Sequence, residues 1–346
     1  MSKLKIGVVG AGGIARRKTM PALRDAANCE ITAVMDVAGV EAIAAEVGAR
    51  KAYTREADLF ADPDVEAVYI ASPVNLHAAQ VTEAARHGKH VLCEKPLARS
   101  VAEARPMLEA CRRHGVILHE GYMMKFHGAH ATIRDLIAAG RLGKLVYMRA
   151  QLSCWYPPIP GAWRQDPAQG GGGALLDMAT HLYDLLEFFA GPVRRVGAFT
   201  GNLVQAYRAE DASTTLLQFE SGAQASVDCF FCIPDEASRT RLEIYGSAGS
   251  ILAEGTVGQS VGGRLEGIFG LGAGGYDAAQ TKDVQRVFAP IAFPSVNPYT
   301  AEFEHFADCV RNRRSSELGG GEHGLHILAL AEAAYAASRE GRFIDV

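Results

Sequence analysis

Short apolar runs alternate with stretches of helical periodicity over the first third of the chain. Leu4–Val9 reads as a strand and is followed by a helix to about Ala26. The pattern then gives a strand at Ile31–Met35, a helix near Val40–Val47, a short strand near Lys51–Tyr53 and another strand at Ala67–Ala71. A helix over Asn75–His87, a strand at Val91–Cys93, a helix over Val101–His114 and a strand at Val116–His119 complete the series. Strands alternating with helices at this spacing define βαβ units and a parallel sheet. Six strands is the number expected for two mononucleotide-binding halves, which predicts a doubly wound α/β domain over residues 1–122.

Beyond Tyr122 the rhythm changes. A helix at about Ala129–Ala139 and a strand at Leu145–Ser153 lead into an irregular Pro- and Gly-rich stretch from Tyr156 to Gly173, followed by a helix over Ala174–Phe189. Strand-like runs then follow one another at Val196–Thr200, Thr214–Phe219, Ala223–Phe231, Thr240–Tyr245 and Ser250–Ala253. Strands in succession without intervening helices imply a mostly antiparallel open sheet, so residues 123–346 read as an α+β domain. Gly255–Gly275 is expected to be a mobile loop, and helices near Pro298–Asn312 and Gly324–Arg339 close the chain.

At 346 residues the chain exceeds what one core usually organises, in keeping with two domains. A formal net charge of −4 gives no electrostatic reason to expect nucleic acid or an anionic membrane as partner, so a small molecule is the expected ligand. No apolar run approaches the ~18 residues of a membrane span, and a cytoplasmic location is expected. The seven cysteines are irregularly spaced, without a disulfide framework. Cys229 and Cys232 lie in a strand-like run where i and i+3 face opposite sides, which argues against shared metal ligation, and no metal site is expected.

Chemistry enters with Gly10-Ala11-Gly12-Gly13-Ile14-Ala15, directly after the first strand and opening a helix. In this pattern Gly10 permits the tight turn, Gly12 lets the backbone approach a pyrophosphate, and the small Ala15 allows close helix packing, as in a Rossmann dinucleotide site. Asp36 ends the next strand 26 residues after Gly10, where an acid accepts hydrogen bonds from the adenosine ribose hydroxyls. A carboxylate there repels a 2′-phosphate, which favours NAD over NADP. Arg16-Arg17-Lys18 is the opposing feature, either a solvated helix face or a phosphate ligand.

Two further segments carry reactive side chains. The first runs from Tyr69 through Ser72, Pro73, Asn75 and His77, and is followed by Glu94-Lys95-Pro96 at the carboxyl end of the fifth strand, the edge where doubly wound folds bind ligands. The second is Gly170-Gly171-Gly172-Gly173-Ala174-Leu175-Leu176-Asp177-Met178-Ala179-Thr180-His181. Asp177 and His181 are spaced i, i+4 and project from one helix face, a histidine base with a carboxylate to favour its imidazolium, or else a helix-start aspartate beside a packing histidine. Just before this run, Trp163 can stack on a sugar ring and Arg164 can donate to its hydroxyls, or the pair covers the core at a solvated edge.

With these motifs the sequence resembles the glucose-fructose oxidoreductase/inositol dehydrogenase (Gfo/Idh/MocA) family along essentially its whole length. The resemblance implies a sugar or polyol dehydrogenase that is a homodimer or homotetramer through the open sheet. It implies Lys95, Asp177 and His181 as the catalytic set. Gly10, Gly12, Gly13, Ile14, Asp36, Ser72, Pro73, Asn75, His77, Glu94 and Lys95 would hold NAD. Lys95, Tyr122, Trp163, Arg164, Asp177 and His181 would face substrate, and the peptide before Pro96 is often cis in such proteins. Members that act on anhydrofructose carry a similar Trp-Arg pair, whereas Tyr122 and Lys125 stand where many members have an arginine. A non-enzymatic NAD-binding regulator and an NAD-dependent glycoside-cleaving enzyme are the alternatives on the same scaffold.

Overall fold

The computed structural model describes residues 2–272, 274, 278–279 and 287–346. The first unit runs β1 (Leu4–Val9), α1 (Met20–Asp25), β2 (Cys29–Met35), α2 (Val40–Val47), β3 (Lys51–Tyr53), α3 (Glu56–Ala61), β4 (Ala67–Ile70), α4 (Val74–Arg86), β5 (His90–Glu94), α5 (Val101–His114) and β6 (Leu118–Gly121). All strand pairs in its sheet are parallel, in the order β3-β2-β1-β4-β5-β6. The order reverses between β1 and β4, and this switch point is where open α/β sheets bind ligands. β1 and β4 are buried almost throughout, which is why they read as continuous apolar runs rather than alternating ones. A π turn, Ala15–Thr19, opens the first helix.

The second unit comprises α6 (Gly128–Ala138), β7 (Leu145–Ser153), α7 (Pro167–Gly170), α8 (Thr180–Ala190), β8 (Val193–Gly201), β9 (Ala212–Phe219), β10 (Gln224–Phe230), β11 (Arg241–Gly246), β12 (Gly249–Glu254), β13 (Arg264–Phe269), β14 (Ala289–Pro290), α9 (Pro298–Arg311), α10 (Gly321–Glu340) and β15 (Ile344–Asp345). Among the described residues its nine strands form one sheet in the order β14-β13-β12-β11-β7-β10-β9-β8-β15, antiparallel except for the β7–β10 pair. Helix α8 is preceded by a second π turn, Leu175–Ala179.

The mobile loop expected over Gly255–Gly275 is corrected by β13, which pairs with β12 from Gly249↔Phe269 to Glu254↔Arg264. Leu265 is buried there, and Gly267 is packed so closely against Phe269 and Ile291 that its lack of a side chain serves the sheet. Ala273 and Gly275, at the end of that expected loop, lie outside the described residues.

Helix α9 returns to the first unit. Phe303, Phe306, Ala307 and Val310 join Leu4, Ile6 and Val34 in one core, with the Phe303 ring edge-on to Tyr69 at 5.2 Å. Burying each phenylalanine stabilises that contact by roughly 1.5–3 kcal/mol. Thr300 donates to Ala22 O at 3.0 Å and Asn28 to Glu304 O at 2.9 Å, so the sheet that carries the switch point is braced by a late helix.

Candidate functional site

A cleft of about 1200 Å³ opens at the carboxyl ends of β1, β2, β4 and β5 and continues over the second sheet. At one end lies the glycine turn. Gly10 N and Ala11 N donate to Met35 O at 3.0 and 3.1 Å, and Gly10 has φ 79°. A Cβ on Gly10 would lie 2.7 Å from Ser72 N, so both backbone conformation and space require glycine. Gly12 N donates to Asp36 Oδ2 at 2.8 Å, and the other carboxylate oxygen accepts from Val37 N at 2.7 Å. Gly10, Gly12, Gly13, Ile14, Asp36, Ser72 and Pro73 all line the cleft. A bare backbone turn with an acid at the end of the neighbouring strand fits the adenosine and pyrophosphate half of a dinucleotide. Of the basic run, Arg16 is tied to Glu46, whereas Arg17 lines the cleft.

Glu94 and Lys95 leave β5 at the middle of the cleft, and the Lys95–Pro96 peptide is cis. Glu94 accepts from the Tyr69 hydroxyl at 2.6 Å and from Lys95 N at 3.2 Å, and burial holds its carboxyl above the usual range. His77 is buried, with ring nitrogens 3.1 Å from Pro96 O and 2.9 Å from Ser72 O. The ring thus cross-ties the loops after β4 and β5, which fixes both against the cleft.

The far end holds the reactive cluster. Lys95 Nζ donates to Asp177 O and to Asp177 Oδ1, both at 2.9 Å, and Arg164 Nε donates to the same Oδ1 at 3.1 Å. The Arg164 guanidinium also lies over the Trp163 ring, 4.1 Å from its centroid. Burial alone would raise the Asp177 pKa, but the charges of Lys95 and Arg164 outweigh it and keep the carboxyl well below the usual range. His181 makes no hydrogen bond to Asp177. Its Nδ1 is buried without a partner among the described residues, while the side chain lines the cleft. Burial, reinforced by Lys95 and opposed by Asp177, pushes the His181 pKa well below the ordinary histidine value. The carboxylate is aimed at two cations from other elements, and it acts on the ring only through space, in the direction that favours the imidazolium.

Two expected site residues are placed elsewhere. Tyr122 is buried and does not line the cleft; its ring packs edge-on behind His181, centroids 5.5 Å apart at 73°. Asn75 sits exposed on the first turn of α4, outside the cleft lining. Residues that sequence reading missed include Tyr156, Tyr299, Thr240 and Gln259, all in the lining. Tyr299 arrives on α9 and Thr240 precedes β11, and no local motif marks either one.

Residues 4–122 match the family described as an oxidoreductase family with an NAD-binding Rossmann fold, and residues 130–252 match the GFO/IDH/MocA C-terminal domain. The chain is 34% identical over 257 residues to a 1,5-anhydro-D-fructose reductase of Ensifer adhaerens, covering 73% of this chain and 76% of that one. It is 30% identical over 287 residues to the scyllo-inositol 2-dehydrogenase (NAD(+)) of Bacillus subtilis, covering 80% and 76%. Among solved structures, an aldose-aldose oxidoreductase from Caulobacter crescentus complexed with glycerol superimposes with a TM-score of 0.88 at 25% identity, over 99% of this chain and all of that one.

Proposed function

This chain belongs to the GFO/IDH/MocA family of oxidoreductases, and from that premise we propose that it moves a hydride between NAD and a secondary alcohol or ketone carbon of a sugar, anhydrosugar or cyclic polyol. The observation that carries the reading is the Lys95–Asp177–Arg164 cluster beside His181, in the same cleft as the glycine turn. NAD bound along that cleft supplies the hydride acceptor, or as NADH the donor.

The side chains divide the remaining work. His181, neutral because it is buried, takes the proton of the reacting hydroxyl at its cleft-facing nitrogen. The Lys95 ammonium, fixed by Asp177, stabilises the alkoxide as charge develops on oxygen, and being already oriented it needs no rearrangement during the reaction. Trp163 offers an apolar face to the ring carbons and Arg164 donors to its hydroxyls. Ketone reduction runs the same proton transfer backwards. NAD is favoured over NADP because the Asp36 carboxylate stands in the cleft and repels a 2′-phosphate.

The outer face of the second sheet carries Phe199 (81% exposed), Leu216 (49%) and Phe343 (53%), and we propose it as the contact between copies in a homodimer or homotetramer. The functional test is a panel of aldoses, anhydrosugars and cyclic polyols scored for NADH absorbance. Turnover in that panel supports the reading, and its absence across the panel in both directions overturns it.

A further inference from the structure

Behind His181 lies a set of buried ionisable groups that the hydride-transfer scheme does not use. Lys125 is buried, and its Nζ lies 2.5 Å from Asp184 Oδ1 and 3.3 Å from His323 Nε2; that same nitrogen of His323 is 2.6 Å from Asp184 Oδ1. Only His323 of these three reaches the surface, with 28% of its side chain exposed. Glu120 is fully buried at the end of β6. One of its oxygens accepts from Leu97 N at 2.9 Å, just past the segment that carries Lys95, and the other has no partner among the described residues. That free oxygen occupies the place where a side chain on residue 324 would stand, so Gly324 on α10 brings the carboxyl against the helix turn that presents His323.

Tyr122 connects this set to the site. Its ring touches the His181 ring, and its hydroxyl faces Glu120 and Thr180 without a hydrogen bond of normal geometry to either. The buried polar atoms left without partners among the described residues include His181 Nδ1, the Tyr122 hydroxyl, Glu120 Oε2 and Asp184 Oδ2, on residues that neighbour one another from the site inward. Buried polar atoms are nearly always satisfied, by one another or by enclosed water. Enclosed water between such groups would join them into a hydrogen-bonded chain.

We propose that this chain is the exit route for the reaction proton, from His181 through Tyr122 and Glu120 to the Lys125–Asp184–His323 cluster and out at His323. The inference rests on the hydride-transfer reading. In oxidation the carbinol C–H bond breaks with its electron pair going to NAD, the C=O bond forms, and the hydroxyl proton goes to His181 on its cleft side. The ring then releases the proton on its Nδ1 inward, leaving the other tautomer, and a flip of the ring returns an unprotonated nitrogen to the cleft before the next turnover. One proton enters the chain and one leaves at His323. With cofactor and substrate in the cleft that His181 lines, the inward side would be the face left for this transfer. The Glu120 carboxyl, pushed by burial up to about 8, stays within reach of both protonation states near neutral pH.

Tyr122→Phe and Glu120→Gln test the route, each compared with the unmodified protein on a sugar that it turns over with NAD+. Both variants should keep KM and NADH affinity while kcat falls about tenfold or more, and the solvent deuterium isotope effect on kcat should rise by about twofold as proton exit becomes limiting. The primary isotope effect from the carbinol carbon should shrink in parallel. Infrared spectra of the free protein should contain a protonated-carboxyl band that Glu120→Gln removes, a readout independent of turnover. A variant that disturbed only packing would move KM or stability and leave both isotope effects where they were. Unchanged isotope effects in both variants overturn the route alone. A protein that turns over no sugar or polyol overturns the underlying reading instead. Should Glu120→Gln fail to fold, Tyr122→Phe, which deletes a single oxygen, decides the question.

Discussion

Lys95 Nζ reaches both the main-chain and the side-chain oxygen of Asp177, 82 residues further along the chain, at 2.9 Å each. The ammonium is therefore held in place before any substrate arrives. Lys95→Met should keep NADH affinity within a few-fold while kcat/KM falls by about 10² or more, since the lost charge acts on the developing alkoxide. Steady-state kinetics on a confirmed substrate, paired with a fluorescence titration of NADH, make the comparison. A loss below about tenfold, roughly 1.4 kcal/mol of barrier, would remove Lys95 from the chemistry.

Asp36 and Arg17 pull cofactor choice in opposite directions, and both line the cleft. With Arg16 committed to Glu46, the acid should dominate, so NADH should bind more tightly than NADPH. Asp36→Ala should narrow that preference by about tenfold, and Arg17→Ala should weaken NADPH more than NADH. Titration of the two reduced cofactors against each variant reads this directly. Equal or tighter NADPH binding by the unmodified protein would reverse the assignment and make Arg17 a phosphate ligand.

How far the sequence predicted these features differs from one to the next. The strand Leu145–Ser153 and the helices Val40–Val47 and Val101–His114 have the bounds that their apolar periodicity implies, because burial on one face is a local signal. The glycine turn was equally legible, since backbone conformation and close approach dictate residue type within a few positions. What was not legible depends on partners distant in sequence. Helical spacing put Asp177 and His181 on one side, but Lys95 and Arg164 decide where the carboxylate points. Tyr122 is polar and next to the cleft in sequence, yet its ring is consumed by packing against His181. Glycines disguised β13, and α3 was too short for periodicity to separate it from a loop.

His181 should control the acid limb of the pH profile. In oxidation the base must be neutral, so kcat/KM rises with pH through the histidine pKa, which burial and Lys95 place below the ordinary value of about 6.5. Asp177 opposes that shift, so removing its charge in Asp177→Asn should move the limb to still lower pH while reducing the maximum rate through a displaced Lys95. His181→Ala should abolish the limb. A limb that stays put in both variants, measured where chemistry limits the rate, would assign the base to another group.

Glu120 should leave a mark on stability as well as on turnover. Its carboxyl titrates near 4.5 when exposed and about 8 in the folded protein, because burial disfavours the charged form. A raised carboxyl pKa means that the native state holds a proton the unfolded chain has already released. The stabilisation is complete below about pH 4.5 and is lost as pH rises through about 8. Between those limits one such group lowers the unfolding free energy by about 1.4 kcal/mol per pH unit. Glu120→Gln keeps the shape and removes the titration, so its stability should fall less steeply with pH by about that amount. Urea unfolding of both proteins at pH values of about 5.5, 6.5 and 7.5 gives the two slopes. Parallel slopes would mean that Glu120 is already ionised in the folded state across that range, so that burial does not hold its proton.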